Sequence, residues 1–285
     1  MTSSTTQPVV VGLDGSERGE AAMRQAAARA MRKGLTLRLV HSYEPAQYGG
    51  RPVPGWRPDD FGVQHEAAEA LVTESIDRLA VAHPDLVVTS RVAVGSPVVA
   101  LVEESADADT VVVGSRGTGG FIDLVVGSTT LHLASRAACP VIAVPAADTG
   151  APTGRGIVVG VDGSPSSAAA LAFAMQEASE TGQPLQAVMA YSDPVSLGPV
   201  TLEPLVQAAL AEAMAGWAEK FPDVPIERTI VCGHPVQVLV RHAAEAALLV
   251  VGSRGHGALR SAFGSISHGV LHHATGPVAV VHADR

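Results

Sequence analysis

The chain has 285 residues, of which 47% are apolar and 16% charged, and its formal net charge is −9 at pH 7. This length and composition predict about two folded domains and exclude an intrinsically disordered chain. The negative charge argues against nucleic acid and anionic membranes as partners. The N-terminus has no signal-peptide pattern and no apolar run reaches membrane-spanning length, so we expect a cytoplasmic protein.

The second half of the chain repeats the first in the same order. Residues 9–16 (VVVGLDGS) return as residues 157–164 (IVVGVDGS), and residues 111–117 (VVVGSRG) return as residues 249–255 (LVVGSRG). A repeat of about 140 residues indicates a duplicated domain rather than a solenoid of short repeats.

A stretch rich in Gly, Pro and Thr at residues 148–155 has the composition of a linker between the two copies. The sequence therefore predicts one domain at residues 1–147 and a second at residues 155–285.

Each half alternates predicted strands with predicted helices, which is typical of parallel βαβ units. Ser16 and Ser164 are predicted N-caps, and Gly34 is predicted to end the first helix. In the first half the predicted elements are, in chain order, a strand at 9–13, a helix at 17–33, a strand at 35–41, a helix at 65–82, a strand at 87–94, a helix at 97–106, a strand at 111–113, a helix at 128–138 and a strand at 141–145.

Polar and glycine residues follow the predicted strands of the first half. Gly12 and Asp14 follow the first strand, Val40 and His41 close the second, and Gly114 follows the fourth. Ligands of open α/β sheets bind beyond the carboxyl ends of the strands. We therefore expect Asp14 and the Gly114 loop to face each other across one crevice.

The connection from Gly114 to Thr129 joins a predicted strand to a predicted helix and is rich in glycine. Glycine lets a backbone approach a ligand closely, and the first amides of a helix have no internal acceptor and lie at its positive end. Together these features predict an anion site, most simply for a nucleotide phosphate.

Two common nucleotide motifs are missing. No Gly-x₄-Gly-Lys-Ser/Thr occurs, and Gly-x-Gly-x-x-Gly follows neither first strand, so the sequence supports neither a P-loop nor a dinucleotide site. A triphosphate held without a lysine is expected to need Mg²⁺, for which Asp14 and Asp162 are candidate carboxylates. The alternative for both aspartates is a turn residue that bonds its own backbone.

These motifs together resemble the universal stress protein family. The pattern Gly-x₂-Gly-x₉-Gly-Ser, the Gly-x-Asp-Gly-Ser turn and the duplication are similar to its nucleotide-binding, tandem branch, over about residues 8–282. The resemblance implies two tandem Rossmann-like domains of the adenine nucleotide alpha hydrolase-like class, each a five-stranded parallel sheet of order 3-2-1-4-5 with helices on both faces. It also implies binding of ATP, ADP or AMP, dimers, and a regulatory role without a defined reaction.

The resemblance also implies which residues bind the nucleotide. The aspartates would lie near the base and ribose, the backbone at Val40 near the adenine edge, and the glycines and helix starts near the phosphates, where each arginine is either a phosphate partner or a solvated loop residue. The first half offers Gly12, Asp14, Val40, Gly114, Arg116, Gly117, Gly119, Gly120, Gly127, Ser128 and Thr129. The second half offers Gly160, Asp162, Met189, Gly252, Arg254, Gly255, Gly257, Gly264, Ser265 and Ile266.

The second half departs from the family pattern, because Gly255 and Gly264 are separated by eight residues rather than nine. A chain step is about 3.8 Å, so we expect Gly264 to be displaced and binding in the second half to be less favoured.

Three functions fit these features. The first is a regulatory ATP-binding switch with at most slow hydrolysis, since no pair of residues is placed to orient an attacking water. The second is an ATP-hydrolysing or adenylating enzyme on the same scaffold, and the third is a dimerisation scaffold with empty clefts. Denaturing the protein to release nucleotide and measuring turnover would separate them.

Other segments lead to further expectations. The apolar fifth strands are expected to be association surfaces, between the halves and between chains. The segment 44–62 is expected to be a lid or a flexible insertion. Cys139 and Cys232 are expected to be buried and reduced, Met175, Met189 and Met214 to fill the core, and His268, His272 and His273 to have a surface or interface role rather than to bind a metal.

Overall fold

The computed structural model describes residues 7–44, 59–115, 126–145, 154–192, 202–255 and 263–283, with only the main chain at 59–61. The chain divides into two compact units, unit 1 (Met1–Gly150) and unit 2 (Ala151–Arg285). The division lies within the predicted linker.

Unit 1 is a parallel sheet with helices on both faces. Its strands lie in the order β3-β2-β1-β4-β5, the order that the family resemblance implies. The elements are β1 (Val9–Leu13), α1 (Glu17–Lys33), β2 (Leu37–Tyr43), α2 (Asp59–Ala82), β3 (Val88–Val94), α3 (Pro97–Glu104), a 3₁₀ turn (Ser105–Asp107), β4 (Thr110–Gly114), α4 (Ser128–Arg136) and β5 (Val141–Val144).

Unit 2 repeats this arrangement, and its strands lie in the order β8-β7-β6-β9-β10, all parallel. Two shorter helices stand in the place of α2. The elements are β6 (Ile157–Gly160), α5 (Pro165–Thr181), β7 (Leu185–Tyr191), α6 (Glu203–Ala213), α7 (Trp217–Lys220), β8 (Ile226–Cys232), α8 (Pro235–His242), β9 (Leu248–Gly252), α9 (Ser265–His273) and β10 (Val278–Val281).

The predicted caps of the first helix in each unit are confirmed. The Ser16 hydroxyl accepts a hydrogen bond from the Gly19 amide at 3.0 Å, and the Ser164 hydroxyl accepts one from the Ser167 amide at 3.2 Å. Gly34 ends α1 in the left-handed conformation, with φ 63°. Each serine cap stabilises its helix by about 1 kcal/mol, which fixes the turn after the first strand.

The core of each unit lies between the sheet and its helices. Small residues allow α1 to pack closely on β1 and β4, because Ala22, Ala26 and Ala30 are fully buried. The expectation for the methionines is confirmed, since Met175, Met189 and Met214 are all buried. None of the described helices has the length and hydropathy that a membrane span requires.

The two cysteines are free, but only one is buried. Burial raises the pKa of the Cys139 thiol to about 12. Cys232 is exposed, so the expectation that it is buried is wrong. It is the last residue of β8, an edge strand of unit 2, where alternate side chains face solvent.

Candidate functional site

The turn after β1 and the end of β4 are adjacent in unit 1, as the sequence predicts. The two strands are parallel and pair with each other, so their carboxyl ends lie side by side at the same end of the sheet. A Cβ atom on Gly114, the last residue of β4, would lie 2.9 Å from the Arg18 Cβ and 3.0 Å from its carbonyl carbon. The first turn of α1 therefore passes directly against the end of β4.

The same close approach is found in unit 2, where a Cβ on Gly252 would lie 2.7 Å from the carbonyl group of Ser166 in α5. The glycines of the first strands also have a packing role. A Cβ on Gly12 or Gly160 would lie 3.0 Å from a leucine side chain of α3 or α8 respectively. Helix packing thus accounts for these glycines whether or not a ligand contacts them.

The start of α4 is anchored to the end of β4 by two hydrogen bonds. The Gly127 amide donates to the Ser115 carbonyl at 2.8 Å, and the Thr130 hydroxyl donates to the Gly114 carbonyl at 3.0 Å. Among the residues that the structure describes, no side chain caps this helix. Within the described part of unit 1, the amides of residues 128–130 therefore have no acceptor, and they lie at the positive end of the helix.

The start of α9 is anchored in the same way. The Gly264 amide donates to the Ser253 carbonyl at 2.9 Å, and the Ser267 hydroxyl donates to the Gly252 carbonyl at 2.5 Å. The expectation that the shorter connection displaces Gly264 is therefore wrong, because these bonds hold the helix start in place despite the missing residue. The amides of residues 265–267 are likewise open among the described residues of unit 2.

A groove leads to the start of α9. It lies between α8 and α9, encloses about 770 Å³ and includes Ser265, Ile266 and Gly269. This volume is within the range of about 300–1,000 Å³ that is typical of small-molecule sites. The first two residues of α9 thus line a groove of that size.

The two aspartates each close a turn of their own backbone. Asp14 Oδ1 accepts the amide and the hydroxyl of Ser16 at 3.0 and 2.6 Å, and Asp162 Oδ1 accepts the Ser164 amide at 2.9 Å. The turn role that the sequence left open is thus present in both units. In unit 2 the other carboxylate oxygen lies beside the glycine motif, since a Cβ on Gly255 would be 2.6 Å from Asp162 Oδ2.

The Universal stress protein family model matches residues 5–145 and 155–282. The chain belongs to the universal stress protein family. It is 38% identical to the universal stress protein Rv2005c of Mycobacterium tuberculosis, over 95% of this chain and 96% of that one. It is 33% identical to a universal stress protein of Mycolicibacterium smegmatis, over 98% of both chains. A solved universal stress protein from Archaeoglobus fulgidus has the same fold, with a TM-score of 0.67, 19% identity, and coverage of 98% of this chain and 97% of that one.

In this universal stress protein, the residues predicted at the adenine edge lie inside the sheet. Val40 pairs with Gly12 on β1 and with a residue of β3 on its other side, and its side chain is only 2% exposed. The residue of β7 that is equivalent to Val40 is Val188, because Val188 pairs with Gly160 as Val40 pairs with Gly12. Met189 lies one position further along β7. The ladder and the core therefore already use the groups of both residues, and their predicted contacts with adenine stay a prediction.

Ser42 is a further candidate, because it lies near the end of β2. β2 continues to Tyr43, whose carbonyl accepts the Gly95 amide at 2.9 Å on the β3 side. Because successive residues direct their main-chain groups to opposite neighbours, the Ser42 carbonyl points to the side of β1, which ends at Leu13. Ala190 holds the equivalent place on β7. The predicted second strand ends at His41, so the sequence pattern selected neither Ser42 nor Ala190.

Part of the predicted site lies outside the described residues, namely Arg116, Gly117, Gly119, Gly120 and Gly257, and also residues 45–58 of the predicted lid. In unit 2, Arg254 is exposed, and its carbonyl accepts the Ser164 hydroxyl at 3.4 Å. The turn after β6 therefore contacts the glycine motif directly.

The histidines of α9 lie close to each other. The rings of His268 and His272 are 4.5 Å apart between centroids. Burial, His268 and His273 together lower the pKa of His272. Among the described residues, no three His, Cys, Asp or Glu side chains are grouped as metal ligands. The surface or interface role of these histidines stays a prediction.

Proposed function

We propose that this universal stress protein binds an adenine nucleotide, in the first instance ATP, in each unit and acts as a ligand-dependent regulatory switch in a stress response. The observation that supports this most directly is the start of α4 and of α9. Each is fixed to a strand end by two hydrogen bonds, and each offers three open amides among the described residues. Such helix starts favour phosphate binding.

The starts of α4 and α9 suit phosphate better than those of α1 and α5. Ser16 and Ser164 already cap α1 and α5 through their hydroxyls, whereas no side chain of the described residues caps α4 or α9. In the proposed complex, Arg116 and Arg254 supply positive charge near the phosphates. Mg²⁺ accompanies a triphosphate, because metal ions commonly bridge phosphate oxygens.

The adenosine part of the ligand would lie over the ends of β1 and β6. The Ser42 and Ala190 carbonyls are the acceptors on that side, which suits the amino group of adenine. Asp14 and Asp162 lie at the same strand ends and suit the ribose hydroxyls. Among the described residues this arrangement offers binding groups and no base placed for hydrolysis, and we propose a switch that changes shape on binding rather than an enzyme.

The test begins with the purified full chain. We expect heat denaturation to release an adenine nucleotide that chromatography identifies. Calorimetric titration of nucleotide-free protein with ATP, ADP, AMP and cyclic AMP should then give up to two sites per chain. Phosphate release from ATP should stay near the rate of a control without protein.

The possible results separate the three functions. ATP binding without turnover supports the switch, and multiple turnover would replace it with an enzyme. No heat of binding for any of the four nucleotides, with none released on denaturation, would contradict nucleotide binding and favour a scaffold.

A further inference from the structure

The two units hold their site aspartates differently. Asp14 of unit 1 is half-buried, and its Oδ1 accepts both the amide and the hydroxyl of Ser16. Asp162 of unit 2 is exposed, and its Oδ1 accepts the Ser164 amide. The Ser164 hydroxyl donates instead to the Arg254 carbonyl at 3.4 Å. Equivalent aspartates in a duplicated turn therefore have different environments.

One sequence difference lies next to the two aspartates. The residue three positions after the capping serine is Gly19 in α1 and Ser167 in α5. A Cβ on Gly19 would lie 2.7 Å from Asp14 Oδ1, which is too close for a carbon and an oxygen that are not bonded. The Asp14 carboxylate thus occupies the space that a side chain at residue 19 would need.

In unit 2 the Ser167 side chain fills the corresponding space. Its hydroxyl oxygen accepts the Asp162 amide at 3.4 Å and donates to the Ser164 carbonyl at 3.1 Å. The Asp162 carboxylate is turned outward instead, where its Oδ2 lies 2.6 Å from the Cβ position of Gly255. Asp162 therefore stands at the edge of the crevice, beside the glycine motif.

Resting on the nucleotide binding proposed above, we infer that Gly19 and Ser167 make the two clefts unequal. Asp162 is held outward, where it accepts hydrogen bonds from the ribose hydroxyls. Asp14 Oδ1 is withdrawn over the first turn of α1 and already accepts two donors, so this oxygen must give up a hydrogen bond before it binds a ribose hydroxyl. Hydrogen bonds to a carboxylate are stronger than neutral ones. The cleft of unit 2 is therefore the tighter site and the one that depends more on the ribose hydroxyls.

The test is calorimetry on the nucleotide-free full chain with ATP and with 2′,3′-dideoxy-ATP, which lacks both ribose hydroxyls. ATP should bind in two classes, and the dideoxy analogue should weaken the tight class more than the weak one. Asp162→Ala should weaken the tight class only. The loss of one hydrogen bond to a charged group predicts an affinity change of about tenfold.

Three variants test the steric cause. Ser167→Gly should let Asp162 withdraw over α5 and weaken the tight class by about five- to tenfold. Ser167→Ala keeps the Cβ and should leave that class unchanged. Gly19→Ala should push Asp14 outward and strengthen the weak class by a similar factor, because the atom that must move is the end of a flexible side chain.

Different results contradict the two proposals. If wild-type protein binds no nucleotide, the proposed function is wrong. If ATP binds but the two sites are equal, or neither Ser167→Gly nor Gly19→Ala changes its class, this inference alone is wrong. Gly19→Ala raises helix propensity, so it remains a test even if Ser167→Gly lowers the stability of its unit.

Discussion

Two glycines, Gly114 in the first copy of the glycine motif and Gly264 in the second, are required for different structural reasons. Gly114 cannot carry a side chain because α1 crosses the end of β4 within 3.0 Å of its Cβ position. Gly264 has an ordinary φ of −73° but brings the start of α9 close to β9, with the Ser253 carbonyl 3.1 Å from its Cβ position. A bulky residue at either position would disturb packing as well as binding. A sharper test of the phosphate site therefore changes charge and leaves the glycines in place.

Ser128→Glu should reduce ATP binding in unit 1 without lowering stability. Ser128 is the exposed first residue of α4. A carboxylate there favours the helix through its dipole but repels phosphate. We expect the affinity of one site per chain to fall at least about tenfold, equivalent to ~1.4 kcal/mol, by calorimetry. Ala138→Glu adds the same charge at an exposed position after the other end of α4 and should change neither affinity nor melting temperature.

The two thiols should react at different rates. Burial raises the pKa of Cys139 to about 12, whereas Cys232 is exposed on an edge strand. Thiolate is the reactive form, so a disulfide reagent at pH 8 should label about one thiol per native chain and two in denaturant. Cys232→Ser should abolish the native labelling. Fast labelling of two thiols in the native chain would contradict the burial of Cys139.

At the scale of elements, the units use different chemistry to hold α3 and its counterpart α8 on the sheet. In unit 1, the Glu104 carboxylate of α3 accepts one hydrogen bond from Arg38 and one from Arg91, each at 2.8 Å. In unit 2 the corresponding contact is between His242 of α8 and Gln186 of β7, at 3.2 Å. The attachment of α3 to the sheet therefore depends on a buried carboxylate. Protonation of this carboxylate at low pH should lower the stability of unit 1.

Glu104→Gln should lower the stability of unit 1 at pH 7 and make it less sensitive to acid. Burial raises the pKa of Glu104, but hydrogen bonds from Arg38 and Arg91 outweigh it and hold that pKa below 4.5. The stabilisation is thus present above pH 4.5 and lost as the pH falls below it. We expect a loss of about 1–3 kcal/mol at pH 7 by urea unfolding, and a smaller loss at pH 4.

The control for this prediction is Glu103→Gln. Glu103 lies beside Glu104 and pairs with Arg91 at 2.9 Å, but its side chain is 56% exposed. Exposed pairs contribute about 0–1 kcal/mol, so this variant should behave nearly as wild type. An equal effect of the two variants would contradict a special role for the buried carboxylate.

Pattern and spacing predicted most of the elements and caps, but not the details that depend on neighbouring strands. The sequence placed the end of β2 at His41, whereas pairing with β3 extends it to Tyr43. Cys232 has apolar neighbours in sequence, yet its position at a sheet edge exposes it. Counting residues suggested that Gly264 was displaced, but a hydrogen bond to Ser253 fixes it. Each error concerns how a residue is placed among neighbouring strands and helix starts, which spacing alone does not determine.

At the scale of the whole molecule, the fifth strands lead to a prediction about assembly. The residues of β5 and β10 are buried and apolar throughout, and the proposal that their edges mediate association stays a prediction. Light scattering should give twice the chain mass of 29.1 kDa if the protein is a homodimer. An Ile142→Lys variant should then lower the mass if the β5 edge is the contact. A monomeric wild type at micromolar concentration would contradict the prediction.

The contrast between Gly19 and Ser167 has a consequence for signalling. A chain with one strong and one weak cleft passes through a half-loaded state as nucleotide accumulates, so its occupancy rises in two steps rather than one. Such a protein would distinguish a low from a high nucleotide concentration, as well as the absence of nucleotide from its presence. Two substitutions that interchange a glycine and a serine would then exchange which half fills first.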